Sequence, residues 1–318
     1  MGFELILPFL RPIEHLILDE GVSEIMVNGS GRIFVERDGG LTEVPEARLT
    51  EKNLQVAVRN IARSLDDEIS EEQPLLDSRL PDGSRVAAVI PPCSLGGTTL
   101  TIRKFSSKRF TADELVRIGS LTQELLEALQ AAIGDRLNIL ISGGTGTGKT
   151  TLLNALAQSI PDLERIILIE DTAEIQLDKP NLVRFEARRQ LPDLPAVTIR
   201  DLVRAALRHR PDRIVLGEVR GGEAFDLLQA LNTGHSGSLS TIHANSAHQA
   251  IARLTSCVLQ AGVELPYAAI RSNIADAVQL LLHIERRQGR RQAAELLKIE
   301  RYEPAQDQYT LTSLYRRQ

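Results

Sequence analysis

The stretch "GGTGTGKT", residues 143–150, constrains this chain more than any other. It fits the pattern G-x-x-x-x-G-K-[ST], with Gly143, Gly148, Lys149 and Thr150 in the fixed places. Glycines let the main chain turn tightly and bring its N–H groups against phosphate oxygens. A helix opening near Lys149 adds the positive end of its dipole. The expected nucleotide contacts are therefore Gly143, Gly144, Thr145, Gly146, Thr147, Gly148, Lys149, Thr150 and Thr151. Lys149 supplies a point charge for the β- and γ-phosphates, and Thr150 supplies a hydroxyl to Mg²⁺, so ATP and Mg²⁺ are the expected ligands. The flanks agree, because the apolar run "NILIS" precedes the loop and "TLLNALAQSI" follows it.

The surrounding pattern is strand, helix, strand. "LNILIS" (137–142), "RIILIE" (165–170), "NLVRFEA" (181–187), "RIVLGE" (213–218) and "GSLSTIHA" (237–244) are short apolar runs, most with helical stretches between them. This predicts an α/β fold with a parallel sheet covered on both faces. "TADELVRIGSL" and "TQELLEALQAAIGD" read as helices ahead of it, each opened by a threonine cap.

The first hundred residues differ. "SEIMVNG" (23–29) and "RIFVERDGGLTEV" (32–44) read as strands, with a hairpin turn at Asp38-Gly39-Gly40. In "TEKNLQVAVRNIARSL" (50–65), Leu54, Val58, Ile61 and Leu65 recur at helical spacing behind the N-cap Thr50. "LLDSRLPDGSRVAAVIPP" (75–92) is a second hairpin around Pro81-Asp82-Gly83, and "TTLTIRKF" (98–105) alternates. The expected division is a smaller α+β domain over 1–105, a polar, basic linker over 106–112, and the nucleotide-binding domain over 113–318.

Carboxylates at the carboxyl ends of parallel strands point into the crevice where ligands sit. Glu170, Asp171 and Glu174 end one strand, and Glu218 ends another. Phosphoryl transfer needs one carboxylate near Mg²⁺ and another to orient water. P-loop enzymes usually close the second strand with an aspartate that holds the metal; here that place is Gly217, and Glu218 comes one residue later. "TGHSGSLSTIHANS" (233–246) carries His235 and His243 at the two ends of a strand-like run. His243 is placed to reach a γ-phosphate or relay a conformational change; His235 has the same options or bonds backbone. The pair lacks the companions of a zinc site. Arg200, Arg204 and Arg208 form one stripe of a helix, read either as a solvated basic face or as a contact to an acidic neighbouring subunit.

Net charge is −5, with no Trp, four Tyr and seven Phe, which disfavours a nucleic-acid surface built on basic charge and stacked bases. Cys93 and Cys257 read as buried small apolar residues. No apolar run approaches the ~18 residues of a membrane span, and "MGFELILPFL" lacks the basic flank of a signal peptide.

The order P-loop, "IEDTAEIQL", "RPDRIVLGEVRGGEA", "NTGHSGSLSTIHANS" resembles the secretion ATPases of type II and type IV systems and of type IV pili. It looks most like the VirB11 and CpaF/TadA branch, whose N-terminal stretches are similar to "VSEIMVNGSGRIFVERDGGL" and "DSRLPDGSRVAAVIPP…LTIRKF". "LQAGVELPYAAIRSNIADAVQLLLHIER" (259–286) also resembles the CpaF-type C-terminal part, so the likeness covers residues 10–285. The long N-terminal extension of many CpaF-type chains is not in this sequence, which leaves pilus assembly and type IV secretion or conjugation both open. The resemblance implies a RecA-like C-terminal domain, a PAS-like N-terminal domain and a homohexameric ring. It also implies a cytoplasmic place, peripheral on the inner membrane, with an inner-membrane component of the machine as partner and no specific nucleic acid. It makes "IEDTAE" an aspartate box, "GEVRG" an atypical Walker B segment and "TGHSGSLSTIHA" a histidine box. Glu174 and Glu218 then match the positions of water activation and Mg²⁺ organisation, with the two roles exchangeable. Arg85 and Arg103 match arginines that close over the nucleotide, and Arg79 matches less well. The rival readings are a RecA-like DNA translocase or helicase and a nucleotide-sensing scaffold that does not hydrolyse.

Overall fold

The computed structural model describes residues 3–29, 31–37, 40–105, 110–188, 190 and 194–317. The chain forms two compact units, Met1–Lys108 and Arg109–Gln318. Residues 106–109 of the expected linker, and Asp38 and Gly39 of the first expected turn, lie outside the described residues.

The first unit runs α1 (Glu14–Leu18), β1 (Val22–Val27), β2 (Ile33–Arg37), β3 (Gly40–Glu43), α2 (Glu51–Ser64), β4 (Leu75–Arg79), β5 (Arg85–Val89) and β6 (Thr99–Arg103). The strands form an antiparallel sheet in the order β3-β2-β1-β6-β5-β4. Helix α2 begins where Thr50 accepts a hydrogen bond from the Asn53 N–H, a satisfied orphan donor of the first turn. Its Leu54, Val58 and Ile61 bury against the sheet face carrying Ile25, Val35, Val86 and Ile102. Each such aliphatic side chain contributes roughly 1.5–3 kcal/mol on burial. The N-terminal segment also joins this core: Ile6, Leu10 and Ile13 are wholly buried.

The second unit opens with α3 (Ala112–Arg117), capped by Thr111, so residues 111 and 112 of the expected linker begin a helix. It continues with α4 (Gln123–Gly134), β7 (Ile139–Gly143), α5 (Lys149–Ala157), β8 (Ile166–Glu170), β9 (Leu182–Glu186), α6 (Ile199–Ala206), β10 (Arg213–Val219), α7 (Glu223–Asn232) and β11 (Leu239–His243). It closes with α8 (Ala247–Leu259), α9 (Tyr267–Ala277), β12 (Leu280–Arg287), β13 (Arg290–Glu303) and β14 (Gln308–Arg316). The sheet order is β14-β13-β12-β7-β11-β10-β8-β9. From β12 to β9 every pairing is parallel, whereas β13 and β14 add to β12 antiparallel. β7 and β8 are buried along their whole length, which is why they read as unbroken apolar runs. One face carries a core with Val203, Leu227, Ile251 and Ile274, and the other a core with Leu126, Leu153 and Ile175. Cys257 is buried as expected, but Cys93 is exposed. Cys93 follows Pro92 in a surface turn of the first unit, where the chain between β5 and β6 leaves the sheet.

Candidate functional site

The carboxyl edge of the parallel sheet collects the predicted chemistry. β7 ends at Gly143, and its register partner on β11 is His243. β10 lies on the other side of β11, and β8 lies beyond it, so Gly143, His243, Glu218 and Glu170 span four adjacent strand ends.

The loop between β7 and α5 needs its glycines. A Cβ on Gly143 would meet the Ile284 carbonyl oxygen at 2.4 Å and Thr147 Oγ1 at 2.6 Å. Gly146 and Gly148 take φ of 70° and 94°, which favours glycine. Helices α2, α3, α4, α6 and α8 each start on a Thr or Ser side-chain cap, but α5 starts on Gly148 with no side-chain cap. The first-turn N–H groups of Lys149, Thr150 and Thr151 are thus available to an anion. Thr147 Oγ1 donates to the Gly144 carbonyl at 2.9 Å and so braces the loop.

Lys149 is 7 % exposed. Its Nζ donates to the Gly144 carbonyl at 2.9 Å and lies 3.3 Å from His243 Nδ1. Burial pushes the ammonium below the usual lysine range, and the nearby Glu218 charge works against that shift. His243 Nε2 lies 2.7 Å from Glu218 Oε1. Nδ1 can accept from Lys149, while the close approach of Nε2 makes no hydrogen bond and leaves Glu218 Oε1 buried without a hydrogen-bond partner among the described residues. Burial also holds the imidazole below its usual range, which keeps it neutral in that role. Arg220 donates to Glu218 Oε2 at 2.8 Å through Nε, and to Asp171 Oδ2 at 3.0 Å. A line of contacts therefore runs Lys149–His243–Glu218–Arg220–Asp171. Beside it a cleft of about 320 Å³ is lined by Gly144, Thr145, His243, Asn245, Gln249 and Arg253.

The displaced carboxylate at Glu218 has a structural cause. Against β11, Leu216 pairs with Ser240 and Val219 with Ile242, so β10 carries one extra residue there. Such a bulge re-aims a side chain, and the bulged residues are Gly217 and Glu218. Thr241 Oγ1 donates to the Gly217 carbonyl at 2.7 Å and holds the bulge. A Cβ on Gly217 would stand 3.3 Å from Glu170 Cγ. The place where an aspartate would project is already taken by Glu170 of the next strand.

Glu170 itself is 3 % exposed and turned to structural work. Its Oε1 accepts from the N–H groups of Glu174 and Ile175 at 2.8 and 2.7 Å, and Oε2 faces Arg184 at 3.3 Å. Burial raises its pKa, against the pull of those two N–H groups and Arg184. The segment after β8 is thus anchored on Glu170, which leaves the Glu174 side chain exposed at the same edge.

His235 places Nδ1 3.2 Å from the Ala230 carbonyl at the end of α7, the backbone-bonding option. Arg200 and Arg204 both bind Asp226 of α7 in the same chain, at 2.6 and 2.8 Å, rather than forming a merely solvated face. Arg85 and Arg103 stand directly opposite each other on β5 and β6 of the first unit, with Asp77 3.5 Å from Arg85 and Glu24 the register partner of Arg103. Sequence reasoning does not single out Arg220, Arg184 or Thr241. Arg220, just past the end of β10, is brought to Glu218 by the turn into α7 rather than by strand alternation.

The residues fit a bound nucleotide: a glycine cradle a Cβ would fill, an uncapped helix start, a buried lysine and a threonine hydroxyl. Among the described residues no cluster of three His, Cys, Asp or Glu side chains is arranged to hold a metal. Thr150 and Glu218 would thus hold Mg²⁺ together with phosphate oxygens and water, the way that ion is usually bound. Fold and site together define a P-loop protein of RecA-like build. The chain belongs to the type II/IV secretion system protein family, whose description matches residues 9–309. It is 38% identical over 289 residues to the conjugal transfer protein TrbB of Rhizobium radiobacter, covering 89% of this chain and 85% of that one. It is also 38% identical over 306 residues to the type IV secretion system protein PtlH of Bordetella pertussis, covering 88% and 90%. Among solved structures, the ATPase DotB of Legionella pneumophila shares the fold with a TM-score of 0.63 at 22% identity, over 91% of this chain and 79% of that one. Among the described residues no helix is long and apolar enough to cross a membrane.

Proposed function

We propose that this protein hydrolyses MgATP as a homohexamer and drives a type IV secretion or conjugation machine from the cytoplasmic side of the inner membrane. The names of TrbB and PtlH favour that service over pilus assembly. The observation that carries the reading is the contact line from Lys149 of the P-loop through His243 to Glu218. It connects the group that would hold phosphates to a carboxylate fit for the metal side of the reaction.

In this reading, the N–H groups of 144–150 and Lys149 bind the phosphates. Thr150 would hold the metal directly and Glu218 through water, and the ion would supply charge neutralisation at the phosphoryl oxygens. Glu174, exposed at the same edge, orients the attacking water; the two glutamates remain exchangeable in these roles. Glu170 is assigned as a positioning residue, because its oxygens hold the backbone of 174 and 175. Neutral His243 keeps Glu218 oriented. On the resemblance of their motifs, Arg85 and Arg103 are assigned to the γ-phosphate charge, a contribution of ~10³-fold or more for such arginines. Phosphate release by the purified chain tests the reading against its Lys149→Ala variant. Turnover that vanishes in the variant supports it, and equal turnover in both proteins ends it.

A further inference from the structure

Arg220 bridges two acidic segments with one guanidinium. Nε and one terminal nitrogen reach Glu218 Oε2 at 2.8 and 2.7 Å, and the other terminal nitrogen reaches Asp171 Oδ2 at 3.0 Å. Its main chain is pinned, because the N–H groups of Arg220 and Gly221 both donate to Glu223 Oε1, at 2.6 and 2.8 Å. The side chain keeps its freedom and is 58 % exposed. His243 Nε2 stands 2.7 Å from Oε1, a buried oxygen without a hydrogen-bond partner among the described residues, so it is Arg220 that takes up lone pairs of Glu218, at Oε2.

A divalent cation needs those same lone pairs. Mg²⁺ accepts only oxygen neighbours at short distance, and a guanidinium at 2.7 Å from the oxygen excludes it by volume and by charge. The two contacts of Arg220 use different nitrogens, so the hold on Asp171 survives when the hold on Glu218 is released. Asp171 lies on the segment after β8 and is itself half exposed, so it can follow the side chain.

We infer that Arg220 is a positioning residue that occupies Glu218 until Mg²⁺ and nucleotide displace it, with Asp171 as the seat to which the guanidinium retreats. The inference rests on the assignment of Glu218 to the metal side. It makes the availability of Glu218 conditional on the arriving cation, so the carboxylate is not presented to a nucleotide lacking its metal.

The test is binding, not turnover. A fluorescent non-hydrolysable ATP analogue is bound to the full chain, and the Mg²⁺ concentration that gives half of the metal-dependent signal is measured. Arg220→Ala should lower that concentration about tenfold, within the usual range of coupling between two ligands at one site. Asp171→Asn should raise it several-fold by removing the second seat. In the Arg220→Ala background, Asp171→Asn should do nothing, since Asp171 acts through Arg220. An unchanged half-point in Arg220→Ala overturns the inference. So does an Asp171→Asn effect of equal size in both backgrounds, which would mark a general field of charge. So does an equal loss of analogue affinity with Mg²⁺ and with EDTA in Arg220→Ala, which would mark a structural role. Wild-type binding that ignores Mg²⁺ overturns the inference and leaves the P-loop reading standing. Failure of the wild type to bind the analogue in either condition overturns both.

Discussion

His243 Nε2 sits 2.7 Å from Glu218 Oε1, at the ends of two adjacent parallel strands. The other nitrogen of the same ring lies 3.3 Å from Lys149 Nζ. One neutral imidazole therefore joins the cation of the phosphate loop to the carboxylate of β10. Neither contact follows from spacing along the chain, because 94 residues separate Lys149 from His243.

This relationship predicts a separation of binding from turnover. His243→Ala leaves the P-loop and Lys149 in place but frees Glu218 Oε1. Misplacing a reacting group by about an ångström can cost ~100-fold, so kcat should fall roughly 10- to 100-fold while analogue affinity changes little. Steady-state kinetics with an analogue titration checks this. A loss of affinity as large as the loss of kcat would place the imidazole in ground-state binding instead.

Glu170 offers a stability prediction. Its Oε1 satisfies two main-chain N–H groups in a buried setting. Glu170→Ala leaves both without that acceptor, at a cost of about 1–3 kcal/mol for a buried group. Urea unfolding should show this loss, and kcat should drop with it as the segment bearing Glu174 loses its anchor. Unchanged stability would mean water replaces the carboxylate without penalty.

Gly217 offers a steric one. A methyl carbon added there would stand 3.3 Å from Glu170 Cγ, so Gly217→Ala must push that side chain by a few tenths of an ångström. Overpacking of this kind costs ~1–3 kcal/mol. Gly217→Asp, which restores the usual metal-binding aspartate, should be more destabilising and less active than Gly217→Ala. Thermal melts with phosphate release rank the three proteins, and a stable, active Gly217→Asp would refute the steric account.

A pH effect arises away from the metal side. His283 of β12 is buried, and its Nδ1 lies 3.0 Å from Ser142 Oγ, one residue before the P-loop. Burial lowers its pKa below the usual 6.5, although the charges of Glu285 and Glu295 pull upward. Between that lowered value and 6.5 the unfolded chain binds more protons than the folded one. Stability should therefore fall as pH is lowered through this window. His283→Asn should make the fall shallower, and urea midpoints across about pH 5–7.5 measure the difference from wild type. Identical slopes in both proteins would exclude His283 as a source.

Much of the fold is legible from local pattern. Thr50, Thr111 and Thr122 announce helices because a cap bonds an N–H three residues on. β7 and β8 announce themselves as apolar runs because both faces are covered. The C-terminal pair β13 and β14 is less legible in this way, since β14 has no fully buried residue and only alternates exposed residues with half-buried ones such as Tyr309, Leu311 and Tyr315. The N-terminal segment carries no local period that announces its place. Ile6 and Leu10 nevertheless complete the first core, through contacts distant in sequence.

The sequence by itself determined that a glycine loop opens a helix at the end of a buried strand, and the order of its motifs placed the chain in its family. Loop, cap and apolar period are encoded among neighbouring residues, so they can be read without the fold. Tertiary structure alone decided what each carboxylate contacts. Glu170 turns inward to hold the backbone, a one-residue bulge swings Glu218 to His243, and Arg220 closes on its other oxygen. Those outcomes depend on the register between β8, β10 and β11, which is set by packing across the whole sheet.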